Sequence, residues 1–321
     1  MDLSLLIAVS CVSGCGKTSA AIEQPYDVYA TAADFGLSSN GTAEAKSYFA
    51  SNLCVSEDVA IGTDSTDSQV AEGAGTFNLE TNTVVYAKNL YERLYPASTT
   101  KILTAYIALK YCDDLDAMVT VSENAVNQAS DSSVCNLKAG DVIRLRDLLY
   151  GLMLRSGNDA AVAIAEYISG DVDSFAALMN QEAAAMGATR SHFVNPNGLP
   201  DENHYTCVYD MYLIFSNAVK NDTFVSIIGT TSYDVTYTDA SGEAVTHTWE
   251  NTNQYLTGNA TTPDGFQIVG GKTGTTGEAG YCLVLYSYNP SGQPIISIVF
   301  KADGKSNLYL LMNEMLQGFA I

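Results

Sequence analysis

The chain has few basic residues and very little histidine. Its 321 residues include 36 acidic and 15 basic side chains, which gives a formal net charge of −21, and the basic ones form no cluster. Because binding to a phosphate backbone needs clustered lysine and arginine, we expect no nucleic-acid partner. His192, His204 and His247 lie in polar stretches without zinc-ligand spacing, and no Gly-x-Ser-x-Gly segment accompanies them. We interpret them as surface or turn residues, and we predict no metal site, no cofactor and no Ser-His-Asp triad.

Long apolar runs are also missing, apart from a short one at the N-terminus. Residues 1–15 read as an export segment that ends in small residues, although such segments usually open with positive charge and the only charge here is Asp2. Residues 12–15, Val-Ser-Gly-Cys, resemble the lipobox of bacterial lipoproteins, in which the cysteine receives the lipid. We therefore predict an extracytoplasmic protein, anchored to the outer face of the cytoplasmic membrane by a lipid on Cys15. An ordinary cleaved signal is the alternative.

The seven cysteines cannot all pair. If Cys11 is removed with the signal and Cys15 carries a lipid, five remain, at positions 54, 112, 135, 207 and 282. At least one of them is then a free thiol. None has metal-ligand spacing, so we expect them to pack as buried apolar residues. A disulfide between Cys112 and Cys135 is the alternative.

Residues 16–68 are rich in small polar residues and have weak periodicity, which predicts a flexible spacer before a folded domain at 69–321. Between about 115 and 222, apolar residues recur at three and four spacing, which indicates helices. Strand patterns lie on both sides of this region. The predicted strands are Thr76–Leu79, Thr83–Ala87, Ser232–Thr238, Ile268–Thr273, Tyr281–Tyr288 and Ile295–Lys301, and the predicted helices include Ser98–Tyr111, Arg146–Arg155, Asp159–Ile168, Val172–Met186 and Leu308–Phe319. This order predicts an α+β fold: an antiparallel sheet built from both ends of the domain, flanked by helices, with a mainly helical inserted lobe.

Ser98 and Lys101 stand three residues apart at the start of an apolar helix. Of the ten lysines, only Lys101 has a serine at this spacing. Residues three apart share a helix face, so the lysine amine can reach the serine hydroxyl and serve as its base if the lysine pKa is lowered. The exposed N–H groups of the first helical turn also favour negative charge on the serine. A capping serine beside a solvated lysine is the alternative.

Two further motifs are weaker when each is taken alone. Ser156-Gly157-Asn158 lies in a short break between two predicted helices, where the serine can relay a proton and the amide can orient a carbonyl or the lysine; a simple helix cap is the alternative. Lys272-Thr273-Gly274 lies in a glycine-rich strand, and glycine in a strand permits close approach of another backbone, such as a bound peptide. A glycine-rich hairpin with an exposed lysine is the alternative there.

Together and in this order, the three motifs resemble those of penicillin-binding proteins and serine β-lactamases: Ser-x-x-Lys, Ser-x-Asn and Lys-Thr-Gly. The phrases at 95–101, 148–160, 193–199 and 271–282 are most similar to low-molecular-mass D-alanyl-D-alanine carboxypeptidases of peptidase family S11. The resemblance covers about residues 73–319, and it implies the β-lactamase/transpeptidase-like fold.

The resemblance implies a serine-type D-Ala-D-Ala carboxypeptidase that trims peptidoglycan stem peptides and is acylated by β-lactams. Ser98 would be the nucleophile, Lys101 its base, and Ser156 the proton donor to the departing D-alanine. The oxyanion would be held by the backbone N–H groups of Ser98 and Thr275. The implied substrate-binding residues are Asn158, Lys272, Thr273, Gly274, Thr275 and Lys305. Asp210 matches a family position near the site.

Two features depart from the family pattern. Lys305 stands where many relatives carry an arginine that grips the substrate carboxylate, and a lysine keeps the charge but loses the bidentate fork. The chain stops after its final helix, so we expect no small β-rich C-terminal domain, and a lipid on Cys15 would provide the anchor instead. Two other functions stay open. A class A-like β-lactamase needs a glutamate-bearing loop where residues 193–203 offer only Glu202, and the other is a non-catalytic penicillin-sensing or wall-binding module.

Overall fold

In the computed structural model of the chain, the described residues are residue 50 and residues 52–321. The predicted signal and lipobox segment, including Cys15, and residues 16–49 of the predicted spacer lie outside them. Residues 52–68, which we assigned to the spacer, instead lie against the folded domain. Cys54 is fully buried, its N–H donates to Tyr212 Oη and its carbonyl accepts from Tyr209 Oη, and Ile61 pairs with Ala87. A few buried contacts and hydrogen bonds hold this segment, so it has no periodic pattern that the sequence could reveal.

The strands form two sheets in the described part of the chain. They are β1 (Ala71–Asn78), β2 (Thr83–Lys88), β3 (Met118–Thr120), β4 (Val142–Arg144), β5 (Ser232–Thr238), β6 (Ala244–Glu250), β7 (Gln267–Thr276), β8 (Gly280–Tyr288) and β9 (Pro294–Ala302). The main sheet has the antiparallel order β2-β1-β9-β8-β7, so the N-terminal hairpin pairs with the last strand, with Thr76 opposite Ser297. This confirms the predicted sheet built from both ends of the domain.

The helices are α1 (Lys101–Tyr111), α2 (Glu123–Val126), α3 (Leu145–Tyr150), α4 (Asn158–Ser169), α5 (Val172–Ala185), α6 (Val208–Ala218), α7 (Asp222–Ile228), α8 (Gln254–Thr257) and α9 (Lys305–Phe319). Polar residues start several of them. Asp171 accepts the Ser174 N–H at the start of α5, and Asn221 accepts two backbone N–H groups at the start of α7. The α+β class is confirmed. Among the described residues, no helix is both long and apolar enough to cross a bilayer.

Alternate residues of β8 face opposite sides of the main sheet, as the two-residue period of a strand requires. Leu283 and Leu285 pack in one apolar cluster with residues of α9, among them Met312 and Met315. Val284 belongs to a second cluster, which includes α1, α4 and α6. Helices therefore cover both faces, which explains why β8 and β9 are buried along almost their whole length.

The predicted strand Ser232–Thr238 forms, but it does not belong to the main sheet. It is β5 of a four-stranded sheet in the order β3-β4-β5-β6, with Tyr233 opposite Trp249. The expectation of one sheet was therefore incomplete. Every second residue of β5 is exposed, since only one face of this small sheet packs against the rest of the domain. All five cysteines in the described residues are free thiols, so no Cys112–Cys135 disulfide forms.

Candidate active site

Ser98 lies in a short 3₁₀ turn, Ala97–Thr100, which leads directly into α1. The residue before it, Ala97, has a φ of 47°, an uncommon value for a residue with a side chain. Such local strain persists only where the surrounding structure holds it, and it is frequent at functional sites. The turn presents the Ser98 side chain, which is partly exposed, to the cavities described below.

Lys101 follows on the first turn of α1 and is completely buried. Its Nζ lies 2.9 Å from Ser98 Oγ, 2.7 Å from Asn158 Oδ1 and 2.6 Å from the carbonyl oxygen of Asn197. Burial, and to a smaller extent the positive charge of Lys272, lowers the pKa of Lys101 well below its ordinary value of 10.5.

These three contacts define what a neutral Lys101 amine does. An ammonium has three N–H donors, whereas the neutral amine has two and one lone pair. The two carbonyl oxygens, of Asn158 and Asn197, accept but cannot donate, so they take both N–H groups of the neutral amine. The lone pair is then left to face the Ser98 hydroxyl, which is the arrangement that a general base needs.

Ser156 stands at the end of a distorted helix. The predicted helix 146–155 is α3 followed by one π-helical turn, Gly151–Arg155, and both Ser156 N–H and Gly157 N–H donate to the Gly151 carbonyl. Ser156 itself is left-handed, with φ 62° and ψ 35°. π-helical turns are frequently found at functional sites. Here the turn ends the helix so that Ser156 is buried and lines a cavity that Ser98 also lines, and α4 starts at Asn158.

Lys272 is the second buried lysine of the site, with 1% of its surface exposed. Its Nζ donates to Ser156 Oγ at 3.0 Å and to the carbonyl of Thr273 at 2.8 Å. Burial lowers its pKa from 10.5 to about 7. The predicted alternative, an exposed lysine on a glycine-rich hairpin, is therefore wrong: Lys272 lies on the long strand β7 and points inward.

Gly274 brings β7 against the nucleophile. A Cβ built at this position would lie 2.9 Å from the Ser98 nitrogen and 3.0 Å from Ala97 Cβ, so a side chain here would force the backbone of the nucleophile to shift. We expected glycine in this strand to admit a bound peptide. At position 274 the structure shows a different reason for glycine: the protein's own backbone at 96–98 lies too close for a side chain.

Two cavities meet at Ser98, and Ser133 and Thr275 also line both. The larger one, about 410 Å³, is further lined by residues 131–132, Asn158, residues 197–200 and residues 276–278. The smaller one, about 160 Å³, is further lined by Ser156, Thr252, Thr273, Gly274, Tyr281, Cys282, Lys305, Leu308 and Tyr309. A substrate that crosses Ser98 would thus place its two halves in two different cavities.

The smaller cavity contains the groups suited to a carboxylate. Thr273 Oγ1 lies 2.6 Å from Thr252 Oγ1, so the two hydroxyls form a pair. Lys305 is the first residue of α9 and is exposed, and within the described residues no carboxylate lies within 4.0 Å of its ammonium. Both hydroxyls and the helix N-terminus, with Lys305 on it, favour an anion.

Asp210 and Glu202 line neither of the two cavities at Ser98. The carboxylate of Asp210 accepts hydrogen bonds from Arg190 N–H and Ser191 Oγ, both at 2.7 Å, and burial raises its pKa. Glu202 is exposed and lines a separate cavity with Arg93 and Tyr205. It lines neither cavity at Ser98, which removes the only glutamate that the β-lactamase alternative had in that loop.

The interpretation of the histidines needs one correction. His192 is exposed, but His204 is fully buried, and its Nε2 lies 2.9 Å from Thr100 Oγ1. Its Nδ1 accepts the Val194 N–H, so Nε2 carries the proton and donates to the threonine. Burial lowers the pKa of His204 to about 4. His204 therefore joins the 3₁₀ turn of Ser98 to the loop that contains Asn197. Across the described residues, no group of three or more His, Cys, Asp and Glu side chains is arranged to hold a metal ion.

Sequence reasoning missed several residues of this site. Asn197 contributes a backbone carbonyl to Lys101, and Thr252 pairs with Thr273. Two signals pointed to the segment with Asn197: the phrase at 193–199 shares in the family resemblance, and its Asn-Pro-Asn-Gly composition is typical of a sharp turn. A backbone carbonyl has no sequence signature, and neither does a hydroxyl pair that forms between separate strands and loops.

A buried lysine of lowered pKa thus lies beside the Ser98 hydroxyl, which is the arrangement that serine acyl transfer with a lysine base needs. The family profile described as D-alanyl-D-alanine carboxypeptidase, Peptidase S11, matches residues 62–304. The chain therefore belongs to the D-alanyl-D-alanine carboxypeptidase family, as its motifs indicated.

Individual relatives agree with this assignment. The D-alanyl-D-alanine carboxypeptidase DacF of Bacillus subtilis is 34% identical over 251 residues, which cover 77% of this chain and 61% of that protein. The D-alanyl-D-alanine carboxypeptidase of Streptomyces sp. strain K15 is 34% identical over 265 residues, which cover 78% and 88%. The crystal structure of the Streptomyces K15 D,D-transpeptidase superposes on this structure with a TM-score of 0.72 at 33% sequence identity. The match covers 78% of this chain and 98% of that one. The DacD structure from Francisella tularensis gives 0.69 at 28% identity, with 84% and 75% covered.

Proposed function

We propose that this protein is a serine-type D-Ala-D-Ala carboxypeptidase that removes the terminal D-alanine from peptidoglycan stem peptides. The family to which the chain belongs supports this. The single observation that carries the proposal is the environment of Lys101: a buried amine whose two fixed carbonyl acceptors leave its lone pair facing Ser98 Oγ.

In the proposed reaction, Ser98 Oγ attacks the carbonyl between the two D-alanines while its proton passes to Lys101 Nζ. The oxyanion is held by the N–H groups of Ser98 and Thr275, the residue that follows the close approach of β7 to the nucleophile. Ser156 gives its proton to the leaving nitrogen and takes a replacement from Lys272, to which it is hydrogen-bonded, as the C–N bond breaks. Water then hydrolyses the ester: the proton that water loses restores Lys272 through Ser156, and Lys101 returns its proton to Ser98 Oγ as the acyl–oxygen bond breaks. We assign the substrate's terminal carboxylate to Thr273, Thr252 and Lys305 in the smaller cavity.

The proposal is tested with purified protein and a peptide that ends in D-Ala-D-Ala. We expect wild type to release D-alanine and to be labelled by a fluorescent penicillin, and Ser98→Ala to do neither. Ser291→Ala, in the exposed β8–β9 turn, is the matched control and should behave as wild type. Labelling without release of D-alanine would refute the carboxypeptidase activity. Rapid turnover of the penicillin would favour the β-lactamase alternative, and the absence of both reactions would favour the non-catalytic binding module.

We also propose that Cys15 carries a lipid which anchors the domain outside the cytoplasmic membrane, with residues 16–49 as the connecting spacer. The Val-Ser-Gly-Cys stretch at 12–15 supports this. Cells that express the protein would be fed a labelled fatty acid. We expect label in wild type and in Cys11→Ser, and none in Cys15→Ser. Equal labelling of all three, or of none, would contradict the lipid anchor, and the second result would favour a cleaved signal.

A further inference from the structure

Asp159 is a buried carboxylate that the proposed reaction does not use. Only 1% of its surface is exposed, and it follows Asn158 on the first turn of α4. Its Oδ1 accepts the N–H groups of Cys135 and Ala160 at 2.8 and 2.9 Å, and its Oδ2 accepts those of Cys135 and Leu137 at 2.9 and 3.1 Å. Among the described residues, no basic nitrogen lies within 4.0 Å of it. Backbone N–H groups therefore provide these four hydrogen bonds, and the Cys135 thiol also lies within hydrogen-bonding reach of the carboxylate.

These hydrogen bonds connect two walls of the substrate site. Residues 131–133, just before Cys135, line the larger cavity, and Ser133 also lines the smaller one. The Asn158 N–H donates to the Ser133 carbonyl at 2.8 Å, so the same loop is bound to α4 at two successive residues. Without the carboxylate, the N–H groups of Cys135 and Leu137 would be buried without their acceptor, which destabilises this position of the loop.

The loop also lies directly behind the Ser156–Asn158 turn. A Cβ built on Gly157 would lie 2.3 Å from Cys135 Sγ and 2.7 Å from Asp159 Oδ1. Position 157 thus has no room for a side chain, and a shift of the loop is transmitted to the turn. On one side of this turn Ser156 contacts Lys272, and on the other Asn158 contacts Lys101.

We propose that Asp159 is a positioning residue of the acylation site: its carboxylate holds the 131–137 loop against the Ser156–Asn158 turn, and thereby fixes Asn158 Oδ1 on the Lys101 amine. The inference rests on the proposed function, since it concerns the same nucleophile and base. Asp159 touches neither Ser98 nor Lys101, so it acts through Asn158 and not as a catalytic group.

The charge of Asp159 provides a readout that a purely structural role lacks. Lys101 is faced by Lys272 from β7, by Asp159 from α4, by Cys135 from the loop and by His204 from the segment before α6. Burial and the charge of Lys272 lower the pKa of Lys101, and the carboxylate of Asp159 raises it to a smaller extent. Since Lys101 must be neutral to accept the Ser98 proton, acylation rises with pH through its pKa. Loss of the anion should therefore move the acid limb of the pH profile to lower pH.

The experiment measures the second-order rate of Ser98 acylation by fluorescent penicillin across pH, D-alanine release, and amide hydrogen exchange at 131–137. For Asp159→Asn we expect acylation to fall by on the order of 10- to 100-fold, as for a small misplacement of reacting groups. We also expect faster exchange in the loop and an acid limb at lower pH. Asp159→Glu keeps the charge but alters the geometry, so its rate should fall while its acid limb stays in place. This variant still tests the proposal if Asp159→Asn does not fold.

The matched control is Glu182→Gln. Glu182 is a carboxylate that is also buried, but it binds Lys110 and Tyr111 away from the site. It should lose thermal stability and keep both the acylation rate and the pH profile. Wild-type rate and profile in Asp159→Asn would overturn the proposal, and so would the same changes in Glu182→Gln. If wild type is acylated but releases no D-alanine, the carboxypeptidase activity fails and the positioning role is still decided by acylation. If wild type is not acylated at all, both the proposed carboxypeptidase function and the positioning role of Asp159 are wrong.

Discussion

Lys272→Met should change how the stability of the protein depends on pH. Lys272 is 1% exposed, and burial lowers its pKa from 10.5 to about 7 in the folded protein. In the unfolded chain the ammonium is fully solvated and titrates near 10.5. Between pH 7 and 10.5 the unfolded state therefore binds one more proton at this residue than the folded state. Linkage then requires this group's contribution to the stability to rise with pH in that window.

The size of the effect follows from the two pKa values. Each pH unit inside the window is worth at most about 1.4 kcal/mol for one proton. The slope is smaller close to pH 7, where the folded-state lysine is half protonated, so the wild type should gain about 2 kcal/mol relative to Lys272→Met between pH 7 and pH 9. Lys101 acts in the same direction, because the charge of Lys272 lowers its pKa and the substitution removes that charge.

The assay is urea unfolding of both proteins at several pH values from 7 to 9. When the two free energies of unfolding are subtracted, the contributions of groups that titrate equally in both proteins cancel. Lys138→Met, which replaces an exposed lysine by the same residue, is the control for the loss of a positive charge as such. If the difference in free energy of unfolding between wild type and Lys272→Met stays constant or falls with pH, burial does not lower the pKa of Lys272 in the folded protein. Acylation by penicillin should be lost in Lys272→Met at every pH, because Ser156 loses its partner.

Three more substitutions test separate parts of the structure. Gly198→Ala places a Cβ 1.8 Å from the Ala97 carbonyl oxygen at a φ of 88°, so it should lower the free energy of unfolding by more than about 1 kcal/mol in urea melts and slow acylation; wild-type values for both would contradict the close approach. Met312→Ala, in the fully buried face of α9, should cost about 2–5 kcal/mol in the same melts but leave the acylation rate of the folded protein unchanged. Lys305→Met should raise the KM for a peptide with a free terminal carboxylate by up to about fivefold, with little effect in Lys305→Arg; an equal rise for the C-terminally amidated peptide would remove Lys305 from the carboxylate site.

The sequence was a good guide wherever a local pattern had a physical cause. The helix Leu308–Phe319 was predicted from its regularly spaced apolar residues, and these residues form the face of α9 that is buried on the main sheet. The structure adds only the first turn of the helix, which starts at Lys305. Strands β7, β8 and β9 were predicted one to three residues short at one or both ends, because strand ends pair through backbone groups that no side chain reveals. Strand β6 was missed, since its alternating exposed residues resemble a polar loop.

By itself, the amino-acid sequence determined the chemistry of this protein: a serine with a lysine three residues later, Ser-x-Asn between helices and Lys-Thr-Gly in a strand, in the order of one enzyme family. Spacing along a helix is a local property, so the Ser98–Lys101 contact could be predicted. Only the tertiary structure decided how that pair is made reactive. Lys101 takes its two fixed acceptors from residues 57 and 96 positions away, and Lys272 reaches Ser156 across 116. The lowered pKa values of both lysines come from burial, which exists only once these distant segments have packed together.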